Sequence, residues 1–143
     1  MNALRKTIIL DSNLVVSAFL NPKGVAAQAL DIGLEYFDLA CSKATLAELL
    51  EVLKRDKFDR YLTKAERAER AEAYAQSVRF FDVALEVTDC KDPKDNKFLA
   101  LAITAQARAI VSGDKRDLLS MNPYRGIDII GLREFVDNYE QYI

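Results

Sequence analysis

Four acidic residues are the best candidates for chemistry in this sequence: Asp11, Glu48, Asp95 and Asp114. Asp11 follows the apolar run TIIL and Asp114 closes the run AIVSGD, so both are expected at the tips of strands. Asp95 begins a helical pattern one turn before Leu99, and Glu48 belongs to an earlier helix. Although distant in sequence, the four acids can converge on one cleft.

Carboxylates gathered in one cleft favour a divalent cation. Each ionised carboxylate raises the pKa of the next, and a bound cation removes that conflict. Oxygen-only ligation suits Mg²⁺ or Mn²⁺ better than zinc. Such an ion activates water and stabilises charge on a phosphoryl oxygen, so hydrolysis of a phosphodiester needs no histidine.

The sequence contains no histidine and two cysteines, Cys41 and Cys90. The lack of histidine excludes Ser-His and Cys-His nucleophile systems and zinc sites built on imidazole. The cysteine spacing matches neither a metal pair nor a disulfide framework, so we expect two reduced, mostly buried thiols. Hydrolytic chemistry must therefore depend on carboxylates, lysine, tyrosine or a bound metal.

Three of the acids also have a purely structural interpretation, because aspartates commonly cap helices and shape turns. Asp11 is a suitable N-cap for the helix that follows it. The pair Asp92-Pro93 resembles an N-cap with proline at the first helical position, with Asp95 as the third-position acid of a capping box. Asp114 follows Gly113 and suits a turn. The residues alone leave both interpretations open.

Glu48 lies on a helix whose apolar residues recur at i, i+3, i+4 and i+7. These residues are Leu46, Leu49, Leu50 and Leu53. Glu48 stands nearly opposite them, where a solvent-facing glutamate belongs. In the alternative interpretation, a stripe of Glu48, Val52 and Arg55 lines a cleft. Either Ser42 or Thr45 can be the N-cap, and the latter would make Glu48 a capping-box acid.

Short apolar runs alternate with helical patterns, which predicts an α/β fold: a three-layer α/β/α sandwich around a parallel sheet. The predicted strands cover 7–10, 37–41, 83–87, 109–114 and 127–130. The predicted helices cover 13–19, 25–34, 42–56, 63–79, 94–107 and 132–141. Ligands bind beyond the carboxyl ends of such strands, where the acids are expected.

Length and composition bound the class of protein. The chain has 143 residues, half of them hydrophobic and 29% charged, which predicts one globular domain over residues 1–143. No apolar run approaches the ~20 residues that span a bilayer, so we expect no membrane partner. Asp11 interrupts the first apolar stretch too soon for a signal peptide, and we expect a cytoplasmic protein.

Net charge does not indicate a nucleic-acid binder, since the formal charge is -2. A local basic patch is the alternative, and residues 54–70 hold seven Lys or Arg against four Asp or Glu. The same composition is typical of a solvated helical face with internal ion pairs.

The motifs IILDSNLVVSAF, SKATLAELLEVLKR, DPKDNKFLALA and VSGDKRDLL occur in this order between residues 7 and 136. Together they resemble the PIN-domain nucleases, especially the bacterial VapC-like branch described as toxins of toxin–antitoxin pairs. The resemblance implies an α/β/α domain and an Mg²⁺- or Mn²⁺-dependent ribonuclease site.

Carried over by position, the resemblance implies catalytic and metal-binding roles for the four acids. It adds supporting polar roles for Asn13 and Ser112, and Asp117 as a further acid at a metal. Asp92 is interpreted as a cap. Arg55, Lys115 and Arg116 are candidates for holding RNA phosphates, with binding that weakens as salt rises.

The resemblance further implies a small antitoxin protein as partner, and a homodimer. Helix 63–79 and the apolar residues of 25–34 are candidate contact surfaces, although core burial explains the latter equally well. Two other functions compete with the ribonuclease. One is a non-catalytic PIN-fold binding or regulatory module, and the other, ranked last, is a phosphoacceptor domain that uses an aspartate at a strand tip.

Overall fold

The computed structural model describes residues 5–113 and 115–143. Within them, five parallel strands form one sheet in the order β3-β2-β1-β4-β5. The strands are β1 (Thr7–Leu10), β2 (Asp38–Cys41), β3 (Arg79–Phe80), β4 (Ala109–Ser112) and β5 (Asp128–Gly131). The helices are α1 (Ser12–Leu20), α2 (Val25–Tyr36), α3 (Lys43–Leu53), α4 (Lys64–Ser77), α5 (Asn96–Ala105), α6 (Arg116–Leu119) and α7 (Leu132–Asn138).

Alternating side chains of the central strand divide the core into two clusters. Ile8 and Leu10 pack with buried residues of α1–α4 and α7 on one face of the sheet. Ile9 packs with α5 and α6 on the other face. Because every strand is parallel and helices cover both faces, the predicted three-layer α/β/α architecture is confirmed.

The carboxyl ends of β1 and β4 lie side by side. Leu10 is in register with Val111, and the Asp11 amide continues the ladder by donating to the Val111 carbonyl at 3.1 Å. The residues that follow both strands therefore meet at one edge of the sheet, as the topology of parallel sheets requires.

The predicted strand at 83–87 is wrong. Those residues have no regular secondary structure, and the fifth strand is instead β3, whose two exposed residues pair with Ala40 and Cys41. Val87 is buried against the second core cluster, with Val83 partly buried beside it. Val83 and Val87 are therefore apolar because they pack over a core and not because they pair in a strand, while Leu85 between them is exposed.

The basic segment 54–70 carries internal ion pairs. The Lys64 ammonium lies 2.9 Å from both Asp56 and Asp59, and the Arg67 guanidinium lies 2.8 Å from Asp59. The exposed Lys64 pairs support the interpretation of a solvated, ion-paired face, whereas the Arg67 side chain is buried. The two cysteines are free and buried, as predicted. Among the described helices, none has the length and apolar character to cross a membrane.

Candidate active site

Asp11 is fully buried at the tip of β1, and each of its carboxylate oxygens has a different role. One oxygen accepts the Leu14 amide at 2.8 Å and caps α1. The other accepts the Ser112 hydroxyl at 2.5 Å and the Gly113 amide at 3.1 Å. Burial raises the pKa of the Asp11 carboxyl above its usual value despite these hydrogen bonds. Asp11 is therefore a helix cap and a buried acid at the strand edge at once.

Glu48 faces a cleft and not open solvent, so the solvent-facing interpretation is wrong. Its side chain is 17% exposed, and one oxygen accepts the Lys97 ammonium of α5 at 2.8 Å. Burial disfavours the charged carboxylate, but the Lys97 hydrogen bond, the neighbouring Ser12 hydroxyl and the Lys115 charge outweigh it and lower the pKa of Glu48. Glu48 faces the cleft because α3 packs against α5 on this side.

The start of α3 also settles its cap. Ser42 is the N-cap, and it forms a capping box with Thr45. The capping-box role for Glu48 is therefore wrong. The predicted leucine stripe is correct for Leu49 and Leu53, which are buried, but Leu50 is 41% exposed. The buried face of α3 is rotated relative to the prediction, and this rotation brings Glu48 to the cleft.

Asp95 is buried at the start of α5, with 2% of its surface exposed. It makes no side-chain cap hydrogen bond there, and one oxygen instead accepts the Lys115 ammonium at 2.9 Å. The cap of the preceding 3-10 turn is Asp92, whose side chain accepts the Lys94 amide at 3.1 Å. The predicted cap role of Asp92 is thus confirmed, while the capping-box role of Asp95 is not.

Lys115 lies between two of the acids. Its ammonium is 2.9 Å from Asp95 and 3.9 Å from the second oxygen of Glu48. Burial by itself lowers the pKa of this ammonium, but the hydrogen bond to Asp95 and the charges of the surrounding carboxylates raise it above its usual value. A residue predicted to hold phosphate is therefore engaged with carboxylates. Asp114, the predicted fourth acid, lies outside the described residues.

These side chains border an open cleft of about 870 Å³. The predicted site residues on its wall are Asn13, Glu48, Arg55, Asp95, Lys115, Arg116 and Asp117. Asp11 lies behind the wall, fully buried, with Ser112 beside it. Lys94 and Lys97 also line the cleft, and sequence reasoning missed both. No pattern marks Lys97, because its role depends on the approach of α3.

The chemistry of the donors fits a hard divalent cation. The second oxygen of Glu48 is buried and, among the described residues, is the one buried side-chain polar atom without a hydrogen-bond partner. Together with Asp11 and Asp95 it offers oxygen ligands alone, as Mg²⁺ and Mn²⁺ prefer. Within residues 5–113 and 115–143, no three acidic or cysteine side chains are grouped closely enough to hold a metal as they stand.

Comparison with known proteins gives both a sequence family and a fold. A sequence model of the PIN domain matches residues 7–116. A protein of Methanocaldococcus jannaschii, itself uncharacterised, is 29% identical over a 153-residue alignment that covers all of this chain and 97% of the relative.

Three solved structures share the fold at low sequence identity. A chain of VapBC2 from Rickettsia felis, bound to a promoter DNA fragment, is 14% identical with a TM-score of 0.60, covering 87% of this chain and 98% of its own. A chain of DNA-bound VapBC from Salmonella typhimurium is 14% identical with a TM-score of 0.62, covering 89% and 98%. PAE2754 from Pyrobaculum aerophilum is 12% identical with a TM-score of 0.65, covering 95% and 90%.

Proposed function

The chain belongs to the PIN-domain family of nucleases, and from this premise we propose that it is a divalent-metal-dependent endoribonuclease. One observation carries the proposal: Glu48 and the buried carboxylate of Asp95 line one cleft, where one oxygen of Glu48 accepts no hydrogen bond, and the buried Asp11 lies at the tip of β1 behind the cleft wall. We propose Mg²⁺ or Mn²⁺ as the cofactor and RNA as the substrate. Asp114 and Asp117 are proposed as further ligands.

Each residue has a task in this proposal. The carboxylates of Asp11, Glu48 and Asp95 hold the cation, which when bound supplies Lewis-acid stabilisation of the phosphoryl oxygens. Ser112 fixes the orientation of the Asp11 carboxylate through its hydroxyl hydrogen bond. Arg55 and Arg116 are exposed on the cleft wall and can pair with phosphates. Asn13, on the same wall, contributes a polar side chain.

Asp11→Asn tests the proposal directly. Loss of a metal ligand removes several kcal/mol of transition-state stabilisation, so we expect RNA cleavage to fall by at least about 100-fold. The measurement is cleavage of a mixed RNA pool in Mn²⁺, beside DNA of matched sequence. Asp38→Asn is the matched control. Asp38 begins β2 at the amino-terminal end of the strands, opposite to the cleft, so its loss is expected to leave cleavage unchanged.

Calorimetric titration with Mn²⁺ separates the ribonuclease from the non-catalytic module. The ribonuclease requires Mn²⁺ binding that Asp11→Asn and Asp95→Asn each weaken. If wild type and both variants bind Mn²⁺ equally and none of them cleaves RNA, the acids act only as structural residues. The regulatory-module alternative then takes the place of the proposal.

A small antitoxin protein and a second copy of the chain are proposed as partners, with the cytoplasm as the expected location. The two partner proposals derive from the sequence motifs and from the fold shared with the VapBC structures. The candidate surfaces are α4 and the apolar residues of 25–34 in α2, of which Leu34 is 40% exposed. Light scattering at high protein concentration checks the homodimer, and a monomer at every concentration contradicts it.

A further inference from the structure

Two lysines compensate the buried charge of the cleft. Lys97 is bonded to the first oxygen of Glu48 at 2.8 Å. Lys115 holds Asp95 at 2.9 Å and approaches the second oxygen of Glu48 at 3.9 Å. Charged carboxylates are costly to bury unless they are paired, so these lysines allow the cleft to fold without a bound metal.

The two lysines occupy different positions relative to the oxygens that a cation needs. The Lys97 hydrogen bond engages only the first oxygen of Glu48, and the second oxygen accepts no hydrogen bond. Lys115 instead stands between Glu48 and Asp95, with only 16% of its side chain exposed and the Phe98 ring 5.2 Å from its nitrogen. A divalent cation coordinated by both acids needs the space that the Lys115 ammonium fills.

We propose that Lys115 is a built-in counter-cation of this metal site, holding Asp95 and Glu48 in place until a divalent cation displaces its ammonium. The inference rests on the proposed function, because it requires these acids to bind metal. Lys115 is then a positioning residue that acts through the carboxylates. It also lowers the affinity for the cation, since two positive charges compete for the same oxygens.

Lys115→Met tests the competition. Without the ammonium, Mn²⁺ meets free carboxylates, and we expect calorimetry on the full chain to give binding at least about tenfold tighter than wild type. Lys94→Met is the matched control, because Lys94 lines the same cleft but is exposed, and its loss is expected to change the affinity less than about twofold. Lys115→Arg keeps the charge and is expected to bind Mn²⁺ as wild type does.

Thermal unfolding provides a second readout. In the presence of a chelator, Lys115→Met is expected to melt below wild type, because it leaves Asp95 buried without its partner. Mn²⁺ is then expected to raise its melting temperature more than that of wild type, since tighter binding stabilises the folded state more. If the methionine variant does not fold, Lys115→Gln retains a hydrogen-bond donor and carries the same expectation.

The outcomes separate this inference from the proposed function. Unchanged Mn²⁺ affinity in Lys115→Met overturns the inference. If the melting temperature of this variant also falls, Lys115 is a structural residue. If its RNA cleavage falls instead, Lys115 binds phosphate. In either case the ribonuclease proposal stands. Tighter Mn²⁺ binding in a protein that never cleaves RNA supports the inference and contradicts the proposed function. No Mn²⁺ binding by wild type and Lys115→Met alike overturns both.

Discussion

Two centres of buried charge involve α3, and they are built differently. At one, the Arg67 guanidinium is 1% exposed and donates to the Leu53 carbonyl at 2.7 Å, the Leu62 carbonyl and the Asp59 carboxylate at 2.8 Å. At the other, the acids of the cleft share two lysines, and one oxygen of Glu48 accepts no hydrogen bond. Each guanidinium nitrogen of the first centre donates a hydrogen bond, whereas the second centre contains an acceptor without one.

The difference separates a structural centre from a candidate functional one. The Leu53 carbonyl belongs to the last turn of α3 and would otherwise lack an intrahelical partner. Arg67 therefore fixes the end of the helix that carries Glu48. Because each of its guanidinium nitrogens already has an acceptor within the protein, this centre offers no evident site for a ligand. The cleft keeps a buried acceptor that makes no hydrogen bond and has only the more distant Lys115 ammonium near it, which costs stability unless another group binds there. Incomplete pairing is thus the feature that points to function.

The largest expected effect on stability is that of Arg67→Met. The substitution leaves the Leu53 and Leu62 carbonyls without their donor, so we expect the free energy of unfolding to fall by about 2–4 kcal/mol. Urea titration measures the loss. Arg70→Met is the control, because Arg70 lies on the exposed face of the same helix, and we expect its midpoint to match wild type. A small loss for Arg67→Met would mean that water replaces the guanidinium readily.

The strands that the sequence predicts correctly share one property. Strands β1, β2, β4 and β5 have buried interiors, so apolar runs mark them. The edge strand β3 is two residues long and exposed. Its pairing depends on backbone hydrogen bonds to β2 that no side-chain pattern records. The apolar residues at 83–87 match the strand pattern for a different reason, because Val83 and Val87 pack over the second core cluster while Leu85 is exposed.

The candidate site was predictable to the extent that it depends on chain position. Asp11 follows a buried strand and Asp95 begins a buried helix, so their placement near the strand edge follows from local pattern and topology. The direction of Glu48 depends on the rotation of α3 against α5, and the position of the Lys115 ammonium depends on the connection after β4. Both are tertiary contacts between distant segments, which a single sequence does not encode as a local signal.

The smaller expected effects are opposite pH dependences within the cleft. Burial raises the pKa of folded Asp11 above the usual 3.8, so the folded state binds the proton more tightly than the unfolded state does. Ionisation of Asp11 therefore lowers stability as pH rises above about 3.8 toward the folded pKa. Asp11→Asn removes this penalty. We expect the free energy of unfolding of Asp11→Asn to increase relative to that of wild type as pH rises. Urea titrations at several pH values in the presence of a chelator measure this difference.

Glu48 is expected to show the reverse. Its folded pKa lies below the usual 4.5 because the Lys97 hydrogen bond, the Ser12 hydroxyl and the charges of the two lysines together outweigh burial. Its ionisation therefore stabilises the fold above about pH 4.5, and that contribution disappears as pH falls through the folded pKa. Glu48→Gln should consequently cost most near neutral pH and least in acid. If the free energies of unfolding of the two variants vary with pH in parallel, these pKa directions are wrong. If they diverge, the ionised form of Glu48 stabilises the fold while the ionised form of Asp11 destabilises it.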